Sequence, residues 1–283
     1  MPELPEVEVL ARHLRPLICG RAIRGVRVCR AKVLRPTSPR ELRRALLGSK
    51  FAGLSRRGKY LLFQLRGRDS NGPVTLLGHL GMTGRMFLAR KQQRLPKHAA
   101  VVIDLGSDNL VYEDTRYFGR LTLDTSAVSR LGPEPLGGQF DRARFRRALK
   151  RSRQAIKIKL LDQTLVAGIG NIYASEALFR ARLSPRAPAC RLTEAQMARL
   201  WRAIRAVLRE AIACGSTVPL NFGRSQSDGL FYFGQAPGMA DYYEERLRVY
   251  DRAGQPCLQC GTVIRRIIQA DRSTFYCPRC QNA

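Results

Sequence analysis

Acidic residues are scarce in this chain, and long apolar runs are missing. Against 50 Lys and Arg stand only 22 Asp and Glu in 283 residues, giving a formal net charge of +28 at pH 7. Such an imbalance excludes an acid-rich surface and suits a polyanionic partner. No stretch approaches the ~20 apolar residues that a spanning helix requires, so no membrane partner is expected and nucleic acid is the polyanion of choice. The N-terminus has no charged segment followed by an apolar run, the mark of a secretory signal. A cytoplasmic protein is therefore expected. Internal repeats and low-complexity tracts are also lacking. Hydrophobic residues make up 45% of the sequence, enough for packed cores, so the charge belongs to folded domains rather than to a disordered tail. The length exceeds the usual single-domain size, and two or more domains are expected.

What the chain does have begins at once, with Met1-Pro2-Glu3-Leu4-Pro5-Glu6-Val7-Glu8. Removing Met1 leaves a terminal proline beside a carboxylate. An α-amino group titrates near pH ~8, against ~10.4 for lysine, so a useful fraction of a terminal secondary amine is unprotonated at neutral pH. Amines of this kind attack carbonyl and sugar C1′ carbons to form Schiff bases when an acid can protonate the departing oxygen. Pro2 is the candidate nucleophile and Glu3 the candidate acid. Pro5 suits the first turn of a helix.

The eight cysteines fall into two groups. Cys19, Cys29, Cys190 and Cys214 are scattered and read as small apolar residues of a reducing compartment. Cys257-x2-Cys260 and Cys277-x2-Cys280 have zinc-ribbon spacing, with an interval that fits one β-hairpin. One structural Zn2+ is expected. Four thiolates leave no coordination position for water, so the metal receives no catalytic role.

The texture changes along the chain. An opening helix is predicted over Pro5–Ile18, closed by Gly20. Segments 51–65, 73–89 and 99–124 are rich in valine, leucine and aromatics and read as a β-sandwich or barrel. Leu131-Gly132-Pro133-Glu134-Pro135-Leu136-Gly137-Gly138 reads as a linker. Residues 140–215 are helical in pattern, clearest where Thr193 and Gln196 form a capping box ahead of an apolar stripe. The glycine-punctuated segment 216–243 reads as a long loop able to serve as a lid.

Basic residues crowd 142–159, where no acid occurs. This run precedes Ala167-Gly168-Ile169-Gly170-Asn171, two glycines opening onto a helix over 172–180. Backbone N–H groups at such a start bind phosphate. The segment lacks the third glycine and the enclosing strand–helix–strand unit of a dinucleotide fingerprint, so a phosphodiester backbone is the expected ligand.

Together, Pro2-Glu3-Leu4-Pro5-Glu6-Val7-Glu8, Arg57-Gly58-Lys59-Tyr60, His79-Leu80-Gly81-Met82-Thr83-Gly84, Leu131-Gly132-Pro133-Glu134-Pro135-Leu136, Gly168 through Glu176, and the four-cysteine ribbon with Arg272-Ser273-Thr274-Phe275-Tyr276 resemble the formamidopyrimidine-DNA glycosylase family. The resemblance runs from residue 2 to about residue 281. It implies an α+β multidomain chain: an N-terminal β-sandwich with an opening helix (1–138), a helix–two-turn–helix domain with the long loop (139–243), and a C-terminal zinc ribbon (244–283). DNA would lie in the cleft between the domains, and a monomer is expected.

The resemblance further implies a base-excision-repair enzyme. It would remove oxidised purines from damaged double-stranded DNA through a Schiff base on the terminal proline, then cleave the strand by β- and δ-elimination. Flipping the base costs a few kcal/mol, least at a damaged pair. By the same resemblance Lys59 donates a proton in β-elimination and Arg272 in δ-elimination, while Lys59, Asn171 and Arg272 grip phosphates. Met82, Arg116 and Phe118 fill the hole left by the extruded base. His98 contacts a phosphate, and Arg153 and Lys157 lie along the backbone or near the lesion.

The chain departs from the family pattern at Thr115 and Tyr117, where proline and arginine are often found, at Ala99 and Ala100 after His98, and in the aromatic-rich 216–243 segment. Lesion preference is the least determined property. The competing readings are a related endonuclease VIII-like enzyme for oxidised pyrimidines and a non-catalytic zinc-ribbon DNA-binding protein.

Overall fold

The computed structural model describes residues 2–67, 72–215 and 246–282. They fall into two compact units, one of Pro2 and residues 6–129, the other of residues 3–5, 130–215 and 246–282. The expected lid at 216–243 lies outside the described residues.

In the first unit, apolar residues alternate along extended segments and turn residues separate them. One four-stranded antiparallel sheet contains β1 (Gly25–Val28), β5 (Gly84–Arg90), β6 (Ala99–Asp104) and β7 (Asp108–Asp114), in the order β1-β6-β7-β5. The other contains β2 (Lys50–Arg57), β3 (Tyr60–Arg66), β4 (Pro73–His79) and β8 (Arg120–Thr122), in that order. Strand β3 shows the period of two directly: Leu61, Phe63 and Leu65 are buried and their neighbours less so. This is the expected β-sandwich. Helix α1 (Leu4–Ile18) opens it and starts one residue earlier than the sequence predicts, a normal margin for a helix end. Its buried Val7, Leu10, Leu14 and Ile18 recur at three-four spacing. Gly20, at φ +84°, ends it in the left-handed conformation that glycine adopts without cost. Helix α2 (Pro39–Leu46) carries a Ser38/Glu41 capping box, and α3 (Ser126–Ser129) is a single turn.

The second unit contains α4 (Arg142–Lys150), α5 (Ile156–Leu160), α6 (Asn171–Arg180) and α7 (Glu194–Ala213). The predicted Thr193/Gln196 capping box starts α7. Leu149, Ile156, Leu160, Leu178, Leu200 and Ile204 lie in one buried cluster. The stretch 131–138, read as a linker, has no helix or strand and is held by hydrogen bonds. Gly132 N–H donates to the Gln163 carbonyl at 2.8 Å, and Arg205 donates to the carbonyls of Pro135 and Gly137 at 2.9 and 3.2 Å. A side chain at residue 132 would collide with the Thr164 carbonyl, so glycine serves here for close backbone approach rather than flexibility.

Strands β9 (Arg265–Gln269) and β10 (Arg272–Tyr276) form the ribbon hairpin. Their two-residue turn, Ala270-Asp271, has φ of +46° and +57°, the primed-turn geometry that matches strand twist. Val249, Ile264, Phe275 and Cys277 pack beneath it with Phe179. Among the described residues no helix is long and apolar enough to cross a membrane.

Candidate active site

Glu3 is 1% exposed. Its carboxylate accepts the N–H groups of Gly170 at 2.6 Å, Ile172 at 2.9 Å and Tyr173 at 3.4 Å. The acid therefore caps the N-terminus of α6, the place where the helix dipole and unpaired donors favour an anion. The glycines there have a steric purpose: Gly168 lies at φ +89°, and a Cβ on it would meet Leu4 Cβ at 2.7 Å. The Leu4 N–H bonds the Gly168 carbonyl at 3.0 Å, fixing the residue next to Glu3. The sequence reading assigned these N–H groups to phosphate. The carboxylate of Glu3 takes them instead. Pro2 is buried directly ahead of it.

Around the first turn of α6 a polar cluster forms. Lys157, with no exposed surface, donates to Asn171 Oδ1 at 2.6 Å, Thr274 Oγ1 at 2.6 Å and the Ser273 carbonyl at 3.0 Å. Asn171 Nδ2 donates to the same Ser273 carbonyl at 2.9 Å. Burial first, and the Arg272 charge second, pull Lys157 down to about 8, with Glu3 opposing. The resemblance places Lys157 along the backbone or near the lesion. All three ammonium hydrogens are engaged inside the protein, so the side chain fixes Asn171 against β10 instead of reaching for phosphate. Arg272 is exposed as the first residue of β10, directly after the tight turn, and Arg153 is exposed on the basic run.

In the first unit, Gly58 (φ +57°) and half-buried Lys59 form the two-residue turn between β2 and β3. Met82 and Phe118 are 45% and 52% exposed, unusual for large apolar side chains, and the Arg116 guanidinium lies 5.0 Å from the Phe118 ring centre. These two turns approach backbone to backbone: a Cβ on Gly81 would meet the Gly119 nitrogen at 2.6 Å. The three side chains are thus brought together at loop tips and kept out of the core. His98 Nδ1 lies 3.4 Å from the Tyr117 hydroxyl, which also accepts from Arg30 Nε at 3.2 Å, and Tyr117 holds φ +53°.

Three further groups escape a reading of the sequence. Gly81 N–H donates to His79 Nδ1 at 3.2 Å, leaving the proton on Nε2, and the Tyr60 ring lies 4.7 Å away. Burial first, then the charges of Lys59 and Arg120, lower His79 to about 4. Asp114, fully buried, accepts from both exposed turns. Glu176 receives the N–H groups of Arg248, Val249 and Tyr250 at 2.9, 2.9 and 2.8 Å, tying α6 to the segment that leads into the ribbon. Burial pushes its carboxyl above the usual range, and the three N–H groups pull it back. His79 and Glu176 stand inside quoted motifs, but their partners are not visible in the spacing.

The Sγ atoms of Cys257, Cys260, Cys277 and Cys280 all lie within 4.8 Å of one another, with closest pairs of 3.9 and 3.5 Å. Four sulfurs at ~2.3 Å from one tetrahedral zinc stand ~3.8 Å apart, so the donor set fits that ion. N–H groups of Gln259 and Cys280 point at Cys257 Sγ and Cys277 Sγ, each at 3.4 Å, completing the surroundings a thiolate centre needs. Zinc here supplies a crosslink under a small apolar core.

Comparison with known proteins accounts for these features together. The models "Formamidopyrimidine-DNA glycosylase N-terminal domain", "Formamidopyrimidine-DNA glycosylase H2TH domain" and "Zinc finger found in FPG and IleRS" match residues 1–121, 131–220 and 254–283. The chain is 42% identical to formamidopyrimidine-DNA glycosylase of Desulfitobacterium hafniense over 99% of this chain and 100% of that protein. It is 43% identical to that of Thermus thermophilus over 99% and 98%. Among solved structures it is similar to the Lactococcus lactis enzyme with abasic-site DNA, at TM-score 0.86, 34% identity and coverage of 99% of this chain and 100% of that one. It is equally similar, at 0.86 and 34% over the whole of both chains, to the Lactococcus lactis complex with N7-benzyl-Fapy-dG DNA. Full-length identity of this order, with three domain models matched in sequence order, means that the chain belongs to the formamidopyrimidine-DNA glycosylase family.

Proposed function

We propose that this chain excises oxidised purines, 8-oxoguanine and formamidopyrimidines, from duplex DNA and then cleaves the strand as an abasic-site lyase. The observation that carries the reading is the buried Glu3 carboxylate, fixed by the α6 N–H groups, directly beside Pro2. Removal of Met1 frees the Pro2 nitrogen, whose lone pair forms a bond to C1′ as the C1′–base bond breaks and the base departs with a proton. The Glu3 carboxylate takes the proton that the Pro2 nitrogen gives up on bonding to C1′ and passes it to the sugar ring oxygen, the ring opens, and a Schiff base joins Pro2 to the sugar. Loss of the C2′ proton then breaks the C3′–O3′ bond, with Lys59 protonating the departing phosphate, and δ-elimination breaks C5′–O5′ with Arg272 in that role. Water hydrolyses the remaining imine and releases Pro2.

Met82, Arg116 and Phe118 fill the vacated space, and Lys59, Asn171, Arg272, His98 and Arg153 hold phosphates, with Lys157 supporting Asn171. The protein acts as a monomer in the cytoplasm, at the nucleoid through its affinity for DNA. The division into 1–138, 139–243 and 244–283 assigns the nucleophile, its acid and Lys59 to the first segment, duplex binding to the other two, and the δ-elimination donor Arg272 to the third.

Borohydride reduction during turnover tests the reading. A covalent protein–DNA adduct on an 8-oxoguanine duplex, mapped to Pro2, is expected. No adduct on any lesion or abasic duplex contradicts an enzyme and leaves a DNA-binding protein, whereas faster trapping on thymine glycol than on 8-oxoguanine reassigns it to oxidised pyrimidines.

A further inference from the structure

Asp114 ends β7 and stands opposite Gly84, the first residue of β5, in the ladder that joins the two strands. Its side chain has no exposed surface and lies among groups from both flanking turns. On the Met82 side, Thr83 Oγ1 donates to Oδ1 at 2.6 Å. On the Phe118 side, Arg116 N–H donates to Oδ1 at 3.2 Å and Gly119 N–H to Oδ2 at 2.8 Å. Beneath them, the Tyr112 hydroxyl reaches the His79 carbonyl at 3.3 Å. A carboxylate accepts up to four hydrogen bonds through two oxygens. Here it takes donors from both turns at once.

We propose that Asp114 is a positioning residue that locks the Met82 turn and the Arg116–Phe118 turn into one rigid wedge. The inference rests on the void-filling role proposed above for those side chains. Half-exposed apolar side chains on independent loops would retreat or pack against each other in free protein. Clamped to one buried anion, and held backbone against backbone where Gly81 meets Gly119, they stay extended before DNA arrives, so little ordering is left for the moment of insertion. Thr83 is the only side chain of the Met82 turn bonded to Asp114 among the described residues, which makes it the sharper probe.

The test uses zinc-loaded full-length protein and two substrates: single-turnover excision of 8-oxoguanine from a duplex, and cleavage of a single-stranded abasic oligonucleotide, which offers no void to fill. Asp114→Asn and Thr83→Val are expected to slow duplex excision about 10- to 100-fold, the effect of a small misplacement, and to slow single-strand cleavage far less. Thr83→Ser is expected to restore the duplex rate. The loss in the double variant Asp114→Asn with Met82→Ala should fall well short of the product of the two single losses, because the clamp and the wedge act as one unit.

Parallel loss on both substrates, or additive loss in the double variant, overturns the inference. Should Asp114→Asn fail to fold, Thr83→Val decides. Normal excision by Met82→Ala and Arg116→Ala defeats the void-filling reading itself, while slow excision by these with normal excision by Asp114→Asn and Thr83→Val defeats the clamp alone.

Discussion

The Lys157 ammonium stands 2.6 Å from the side-chain oxygen of Asn171, with no water-accessible surface of its own. Burial holds its proton less tightly in the folded chain, at about 8, than the ordinary 10.5 of an unfolded lysine. Between those values the unfolded state binds more protons, so stability rises with pH there, and the lysine contributes least below the lower value. The difference in unfolding free energy between wild type and Lys157→Met is therefore expected to grow as pH rises through this window, read by denaturant titration at several pH values. A constant difference contradicts the buried, fully engaged ammonium.

Glu3→Gln keeps the shape of the cap and removes the acid. The amide oxygen still accepts from Gly170 and Tyr173, which share one oxygen, and only Ile172 loses its acceptor, so the protein folds and binds lesion duplexes, while single-turnover excision falls by about 100-fold or more. Gly168→Ala attacks the same place sterically, through the clash with Leu4. It is expected to lower both melting temperature and excision, in contrast to the clean separation of Glu3→Gln.

Cys257→Ser removes a ligand, and a strong chelator the metal, from a hairpin whose core is only a handful of side chains. Zinc content should fall below one per chain and duplex affinity should drop, since the fold of such a unit depends on its metal. The sandwich, with its own core, keeps its β-sheet circular dichroism. Unchanged DNA affinity in a zinc-free protein excludes the ribbon from the interface.

His79 is expected to stay neutral where an ordinary histidine titrates. Its folded-state value of about 4 lies below the usual 6.5, so the stability it contributes is present above the higher value and is lost as pH falls toward the lower one. The imidazole NMR signal should hold its neutral position through the ordinary midpoint. Movement near 6.5 contradicts the burial and the pressure of Lys59 and Arg120.

Legibility in the sequence followed the range of the interactions. Cys257, Cys260, Cys277 and Cys280 were readable because ligand spacing in a ribbon maps directly onto a turn. Pro2 and Glu3 stood out as candidates because the chemistry proposed for them lies in adjacent residues. The capping box of α7 involves positions three apart and was equally plain. Asp114 and Glu176 were opaque: their partners stand up to 31 and 74 positions away, and an isolated carboxylate ordinarily faces solvent. The partners of Lys157 were opaque for the same reason, since Ser273 and Thr274 stand 116 and 117 positions away. At residues 131–138 glycine and proline mark a break between elements, but only the partners, Gln163 and Arg205, show that the segment is held in place.

Helix α6 grips Glu3 through the N–H groups at its start and the ribbon's leading segment through Glu176. A helix advances its face by ~100° per residue, so inserting or deleting a single position between Asn171 and Glu176 would rotate the second grip off its target while leaving the first intact. The five-residue interval is thus a phase setting. Length changes here should be tolerated far less than substitutions, however conservative the inserted residue.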